Sequence, residues 1–379
     1  MTTPTEPTPA NEPDETSEPE PRLRKPGDLI AAVPALLGFI PVRSLVVTVL
    51  RPEPGVPLRA AVDFMTRMDL DGNGRAATAQ LIDRIAQICV AHNALAVLAL
   101  IIDDRATAPK SGHRGVRGRK HRDLLAAIEH RLDAETIPLA GAWAVSEIGP
   151  DLPWWSLTGP PREGRQPDPA TSEVALRQVL EGRLLRASRE ELAALVAPDP
   201  GLQSEMRLLL KAVGSTASGR FAEALRRDDA ESYTRTTLRK VLRHVAKLES
   251  GIEPEPPALA ELAVALRDSS VRDVMFALTP GPHAAAAEAL WSRLTRALPD
   301  PDRAEAAALL AYCAYVRGDG PFTGVALEAA LSADPEHRMA ILLDAGLQTG
   351  MRPERLGRLA DSGREAALDL GVDLDRELS

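Results

Sequence analysis

The feature that most constrains this chain is a change of periodicity at "TGPPREGRQPDP", Thr158 to Pro169. Ahead of it, short β-branched runs alternate with amphipathic helical stretches; behind it only the helical period continues. That order predicts an α/β unit followed by an all-helical unit, because alternating strands and helices bury their apolar faces by packing helices on a sheet. At 379 residues the chain has material for two such cores. Aromatic residues are only 3% of it, so Leu, Ala and Val must fill the interior, which suits helices.

The expected division is a disordered acidic, Pro-rich tail at 1–25, an α/β domain at 26–165 and an all-helical domain at 170–379. The tail holds six acids and no base up to residue 21, so it carries most of the net charge of −9 and leaves a nearly neutral body. Global charge therefore argues neither for nor against a nucleic-acid partner. Cys89 and Cys313 sit in apolar helical stretches and read as small hydrophobes, not as a disulfide framework. There is no basic, apolar leader, and no apolar run approaches the roughly 18 residues of a membrane span, so a cytoplasmic protein is expected.

Structure should begin at "GDLIAAVPALLGF", a helix with Asp28 as its N-cap and Gly38 as its stop. "SLVVTVL" and "LRAAVDF", on either side of "RPEPGVP", read as a β-hairpin. A helix follows over about Arg75 to His92, then a buried central strand in "ALAVLALIID", a helix over about Arg119 to Ala134, and strands in "IPLAGAWAVS" and "PWWSLT". From Thr171 onward, helix breaks are expected near Pro198 to Gly201, Gly251 to Pro257, Thr279 to Pro282, Pro299 to Pro301 and Gly318 to Pro321. Ser188 and Glu191 stand at capping-box spacing, and "DPEH" suggests Asp334 as an N-cap with Pro335 behind it. The stretch from Leu309 to Pro353 reads as a tetratricopeptide-like helical hairpin, a single unit and not an array.

Four segments carry a family resemblance: "DLIAAVPALLGFIPVRSLVVTVL", "PWWSLTGPPREG", "GRLLRASREELAALVAP" and the Leu309 to Pro353 stretch, in that order. The chain resembles the domain of unknown function 4192 family, found mainly in actinobacteria, over roughly Asp28 to Pro353. The resemblance implies one family architecture and no particular activity. Relatives often carry cysteines just after the Trp-Trp-Ser tract; here "LTGPPREG" has none, which argues against metal or redox chemistry at that place.

Several clusters are candidate sites. "DLDGNG" places Asp69, Asp71, Asn73 and Gly74 as in a calcium loop, but Gln80 stands where the bidentate Glu belongs and Ala76 replaces the usual apolar β-branched residue. A capped strand-to-helix turn fits it better, and no metal is expected. Residues 105–122 hold seven Lys or Arg, two His, three Gly and no acid. Arg114, Arg117, Arg119 and Lys120 there could meet phosphates beside a helix start, although a P-loop Lys and stacking aromatics are missing, and a solvated loop is the plainer reading. Asp103 and Asp104 close the central strand, where α/β sheets tend to bind ligands, and Asp63 is expected to end the neighbouring strand. Carboxylates so placed can also serve as helix caps or ion-pair partners.

Trp154 and Trp155 point to opposite faces of their strand, so one packs into the sheet while the other meets the helical domain or a partner. Arg43 and Ser44 interrupt the apolar run from Leu36 to Leu50 as turn punctuation, or as the rim of a ligand site if that turn approaches the basic loop. Zinc-protease, nucleophile-elbow, dinucleotide and paired Cys-x-x-Cys signatures are absent, so no catalytic residue and no cofactor is implied. "SREELAALV" lacks a basic recognition helix after it, which weakens a helix-turn-helix reading. The leading expectation is a non-catalytic binding, regulatory or scaffold protein with a protein partner on its helical domain. The alternative is an enzyme or binder of a phosphorylated ligand or nucleic acid, working through the basic loop and the strand-end acids.

Overall fold

The computed structural model describes residues 25–53, 60–71, 74–109, 116–180 and 189–378. Residues 1–24 of the expected tail, Asn73, Arg114 and Ser188 lie outside the described residues. Helix α1 (Pro26–Leu37) begins two residues before Asp28, because Pro26 takes the first helical position, for which its fixed φ suits it. Asp28 is therefore not the N-cap. It stands at the third helical position and accepts from the Lys25 N–H at 3.0 Å, still favourably placed at the positive end of the helix.

The first part folds on a six-stranded sheet: β1 (Ser44–Pro52), β2 (Ala60–Asp69), β3 (Ala96–Ile102), β4 (Leu139–Val145), β5 (Pro153–Ser156) and β6 (Glu163–Arg165). The spatial order is β2-β1-β3-β4-β5-β6, antiparallel at every pairing except β3 with β4. Two helices intervene: α2 (Arg75–Ala91) leads to β3, and α3 (Val116–Asp133) crosses over from β3 to its parallel neighbour β4. Strand β6 lies inside the Pro- and Gly-rich boundary stretch, at the expected end of the α/β part. Its three residues pair with β5 and present too little side-chain pattern to be read in advance.

Alternation along the strands assigns the two faces. Leu45, Val47, Val49, Ala99 and Ile101 pack with Ile85 and Ile88 of α2 and Leu125 and Ile128 of α3. Val46, Leu100, Ile102 and Val145 join Ile30 and Val33 of α1 in a core that continues without a break into the helical part. Trp155 is buried in the first core and Trp154 in the second, so the pair ties both layers to the sheet.

The helical part comprises α4 (Glu173–Leu180), α5 (Arg189–Ala194), α6 (Pro200–Arg226), α7 (Ala230–Glu249), α8 (Pro256–Leu266) and α9 (Ser269–Val274). It continues with α10 (Ala284–Ala297), α11 (Asp302–Val316), α12 (Gly320–Ala333), α13 (Arg338–Gln348), α14 (Gly357–Asp369) and α15 (Leu374–Leu378). The breaks marked by Pro and Gly fall where expected. Two others, at Asp228 between α6 and α7 and at Arg267 and Asp268 between α8 and α9, have no Gly or Pro to announce them. Asp334 does not start α13. It closes α12 and turns the chain through the Glu336 N–H, while His337 caps α13 by accepting from Ala340 N–H at 3.1 Å. No helix among the described residues is long and apolar enough to cross a membrane.

Candidate functional site

At the carboxyl end of β3 the chain turns through Asp103, Asp104 and Arg105, and the β1 register sets Ser44 opposite both Ile102 and Asp69. The turn before β1 and the start of the basic loop therefore meet at one end of the sheet. Arg43 is bidentate on Asp104, with Nε at 2.9 Å and Nη2 at 3.0 Å. Its φ of 47° lies in the left-handed region, and its carbonyl accepts from Leu70 N–H. Ser44 is buried; its hydroxyl donates to the Val42 carbonyl and accepts from Arg67 Nε, both at 2.7 Å.

Asp103 is the centre of this end. Its side chain is 1% exposed and accepts from Arg105 Nε at 2.6 Å, Arg105 N–H at 3.2 Å and His121 Nε2 at 3.0 Å. Burial pushes the carboxyl up, but the hydrogen bonds from Arg105 and His121 outweigh it and hold the group below the usual carboxylate range. Burial also lowers His121, against the opposing pull of Asp103. With Nε2 donating to the carboxylate, its buried Nδ1 has no hydrogen-bond partner among the described residues.

The acids at this end are paired with arginines. Asp71 accepts from Arg105 at 2.8 Å, and Asp69 pairs with Arg67. Neither Asp points into a cation cage, and no group of three or more His, Cys, Asp or Glu among the described residues could hold a metal ion. Of the basic loop, Arg117 lies 4.0 Å from Asp103, while Arg119 and Lys120 are exposed on the first turn of α3, with no ion pair among the described residues.

Asp63 is not part of this constellation. Strand β2 continues six residues past it, to Asp69, and Asp63 is the extra residue of a bulge opposite Val49 and Leu50, towards the other end of the sheet. "MTRMD" extends the strand because an edge strand tolerates the polar Thr66 and Arg67, both half-buried, one on each face. There Asp63 is 8% exposed and binds His92 Nδ1 at 2.7 Å, Arg352 Nη2 at 3.0 and 3.1 Å, and Arg51 Nε at 3.3 Å. The other ring nitrogen of His92 contacts the Gly350 carbonyl, and Phe64 stacks on the ring with centroids 4.9 Å apart. Gly350 has φ of 68°, and a Cβ on it would lie 2.7 Å from His92 Nε2, so only glycine lets the backbone come this close.

This second cluster forms one wall of a cleft of about 1330 Å³ between the sheet and the helical part. Leu50, Leu98 and the half-buried Trp143 line the cleft from the sheet side. Lys25, Arg51, Arg162, Arg177 and Arg352 supply cationic groups around it, against the carboxylates of Glu53, Asp63 and Glu354. Trp154 and Trp155, at 8% and 5% exposure, are packing residues and offer a partner no open ring surface. Trp143 lines the cleft together with Phe64 and Tyr315, and sequence reasoning passed over it because it stands alone in "LAGAWAV". His92, Gly350 and Arg352 were missed for a different reason: 258 residues separate the two sides of the contact, and no spacing rule connects them.

No curated protein and no solved structure matches this chain. A family model described as a domain of unknown function, DUF4192, matches residues 26–354. That match begins with α1, takes in the whole sheet and both ion-pair clusters, and runs to the turn that carries Gly350 and Arg352; the chain belongs to the DUF4192 family.

Proposed function

We propose that this is a non-catalytic binding protein, regulatory or scaffolding in role, with its ligand seat in the cleft between the sheet and the helical part. One observation carries the proposal: the cleft combines apolar side chains, Trp143 among them, with a surplus of cationic side chains, and it is bounded by both parts of the chain. The contrast with the other end of the sheet supports a role without catalysis, since its acids are neutralised by Arg43, Arg67 and Arg105.

Native mass spectrometry of the protein purified gently from its host tests this. The expected result is a small molecule that travels with the wild type and is lost in Leu98→Trp, which fills the cleft from the sheet side. Retention of the molecule by a folded Leu98→Trp protein would reject the cleft as its seat. The exposure of Arg119 and Lys120 favours a second reading, contact with a phosphorylated ligand or nucleic acid through the start of α3. Nucleic acid recovered in the same preparation, and lost on replacing those two residues by Ala, would decide for it.

A further inference from the structure

Strand β4 carries glycine at 141 and tryptophan at 143, two positions on the same face of the sheet. The six-membered ring of Trp143 folds back along the strand into the space that a side chain at 141 would take. A Cβ on Gly141 would stand 2.7 and 2.8 Å from its Cη2 and Cζ2 atoms, and 3.6 Å from Leu98 Cδ2. The indole therefore rests low on the sheet beside Leu98, and both side chains line the cleft. Trp143 is half-buried and stays partly open to the cleft, to which Leu347 and Met351 add apolar surface from the helical part. An aromatic ring laid along a bare stretch of strand is a platform for a second flat ring.

The same row across the sheet leads to a cation. Trp143 stands opposite Ser156 of β5. Ser156 N–H donates to the Arg162 carbonyl and Ser156 Oγ accepts from Arg162 N–H, both at 2.8 Å, so Arg162 is fixed two strand spacings, about 10 Å, from Trp143. Arg162 is exposed, lines the cleft and makes no ion pair among the described residues. Lys25 is a second cation of that kind. It precedes α1, whose start is seated against β6: a Cβ on Gly27 would lie 3.1 Å from the Arg165 carbonyl. Arg352, by contrast, is held by Asp63 at 3.0 Å. The carboxylates that the sheet contributes to the cleft, Glu53 and Asp63, stand away from β6, just after β1 and on β2.

We propose, resting on the cleft as the ligand seat, that the ligand is a flat aromatic ring system bearing an anionic oxygen group. The ring stacks on Trp143 above Gly141 and meets Leu98, and the anionic group reaches towards the β6 edge, to Arg162 with Lys25 beside it. The planar guanidinium of Arg162 suits a group that offers two acceptor oxygens together. Gly141 and Arg162 are thus the residues that set what the cleft accepts, one by keeping the indole down on the strand and the other by supplying an unspent charge.

The probes are a matched pair, 8-anilino-1-naphthalenesulfonate and N-phenyl-1-naphthylamine, which share one ring system and differ in the sulfonate. Fluorescence titration of the native full chain should show the sulfonate binding about tenfold tighter than its neutral counterpart. Arg162→Gln should remove that difference and leave the neutral probe unchanged. Trp143→Leu, and Gly141→Ala, which lifts the indole off the strand, should each weaken both probes by about tenfold. Leu98→Trp should bind neither. No binding to the wild type, equal affinity for the two probes, or a difference retained in Arg162→Gln would overturn the proposal. Full binding by Trp143→Leu and Gly141→Ala together with loss in Leu98→Trp would overturn the stacking and leave the cleft standing. Binding that persists in Leu98→Trp would overturn the cleft reading and this proposal with it. If the variants at 141 and 143 do not fold, as judged by circular dichroism, indole N–H spectra of the wild type decide. A ring-current shift of the Trp143 Nε1 proton on adding the sulfonate probe supports the stacking, and an unmoved signal with the probe bound defeats it.

Discussion

A carboxylate stripped of water must find its donors in the protein, and Asp103 has them from Arg105 and His121. Removing one member of a buried ion pair leaves the other desolvated and uncompensated. Asp103→Ala should therefore lower unfolding free energy by about 3 kcal/mol in urea titrations, with Asp103→Asn less damaging because it keeps one acceptor oxygen. The pH dependence follows from the same contacts. Both Asp103 and His121 are shifted down in the folded protein, so the unfolded chain binds protons first as the pH falls. Their stabilisation is complete above the unfolded values and is lost on acidification, beginning below about pH 6.5 for His121 and below about pH 4 for Asp103. Melting midpoints of the wild type and His121→Gln measured across that range should converge as the pH drops; a constant gap between them would contradict the assignment. Arg43 contributes in another way: it stands in a left-handed turn half exposed to water, where its pairing with Asp104 orients the turn.

At the scale of elements, close approach between helices depends on small residues at the crossing. Gly363 of α14 faces α9 and the 3₁₀ turn that follows it, and a Cβ there would lie 2.8 Å from the Asp273 carbonyl and 3.1 Å from Ala277 N. On an open helix surface Gly→Ala stabilises by about 1 kcal/mol. Here the sign should reverse, with Gly363→Ala costing about 1 to 3 kcal/mol in the same urea titration through overpacking. A stabilised variant would show that α14 can move away without loss. Elements of this chain were legible in the sequence where local chemistry marks them. The helices bounded by Pro and Gly, the β1–β2 hairpin and the apolar run of β3 all announce themselves. Asp228 broke a helix unannounced because it takes φ of 56° without being glycine, and Asp334 looked like a cap because "DP" opens turns as readily as helices. The candidate sites divide in the same way. That Arg43, Ser44, Asp103 and Asp104 meet at one end of the sheet could be read from the strands they flank, whereas the contact of His92 with Gly350 is made by tertiary packing alone.

For the whole molecule, the boundary read from periodicity is a change of secondary structure and not of core. Val46, Leu100, Ile102, Val145 and Trp154 on one face of the sheet are buried in the same cluster as Leu242, Trp291 and Tyr312 of the helical part. A sheet that buries one face only against that cluster would expose it on separation, and burial of apolar surface is the dominant favourable contribution to folding. The two parts should accordingly unfold together. The chain carries its own probes for this: Trp143, Trp154 and Trp155 report on the sheet, and far-ultraviolet circular dichroism is dominated by α4 to α15. In a Trp291→Phe variant, which silences the fourth tryptophan, sheet fluorescence and helical circular dichroism should follow a single urea transition with one midpoint. Because that substitution touches the core itself, the wild type serves as its reference for cooperativity, with a shift of midpoint allowed but no separation of the two signals. Two resolved midpoints would mean that the sheet holds its structure after the helices have left it, and that the cleft lies between independent domains instead of within one cooperative body.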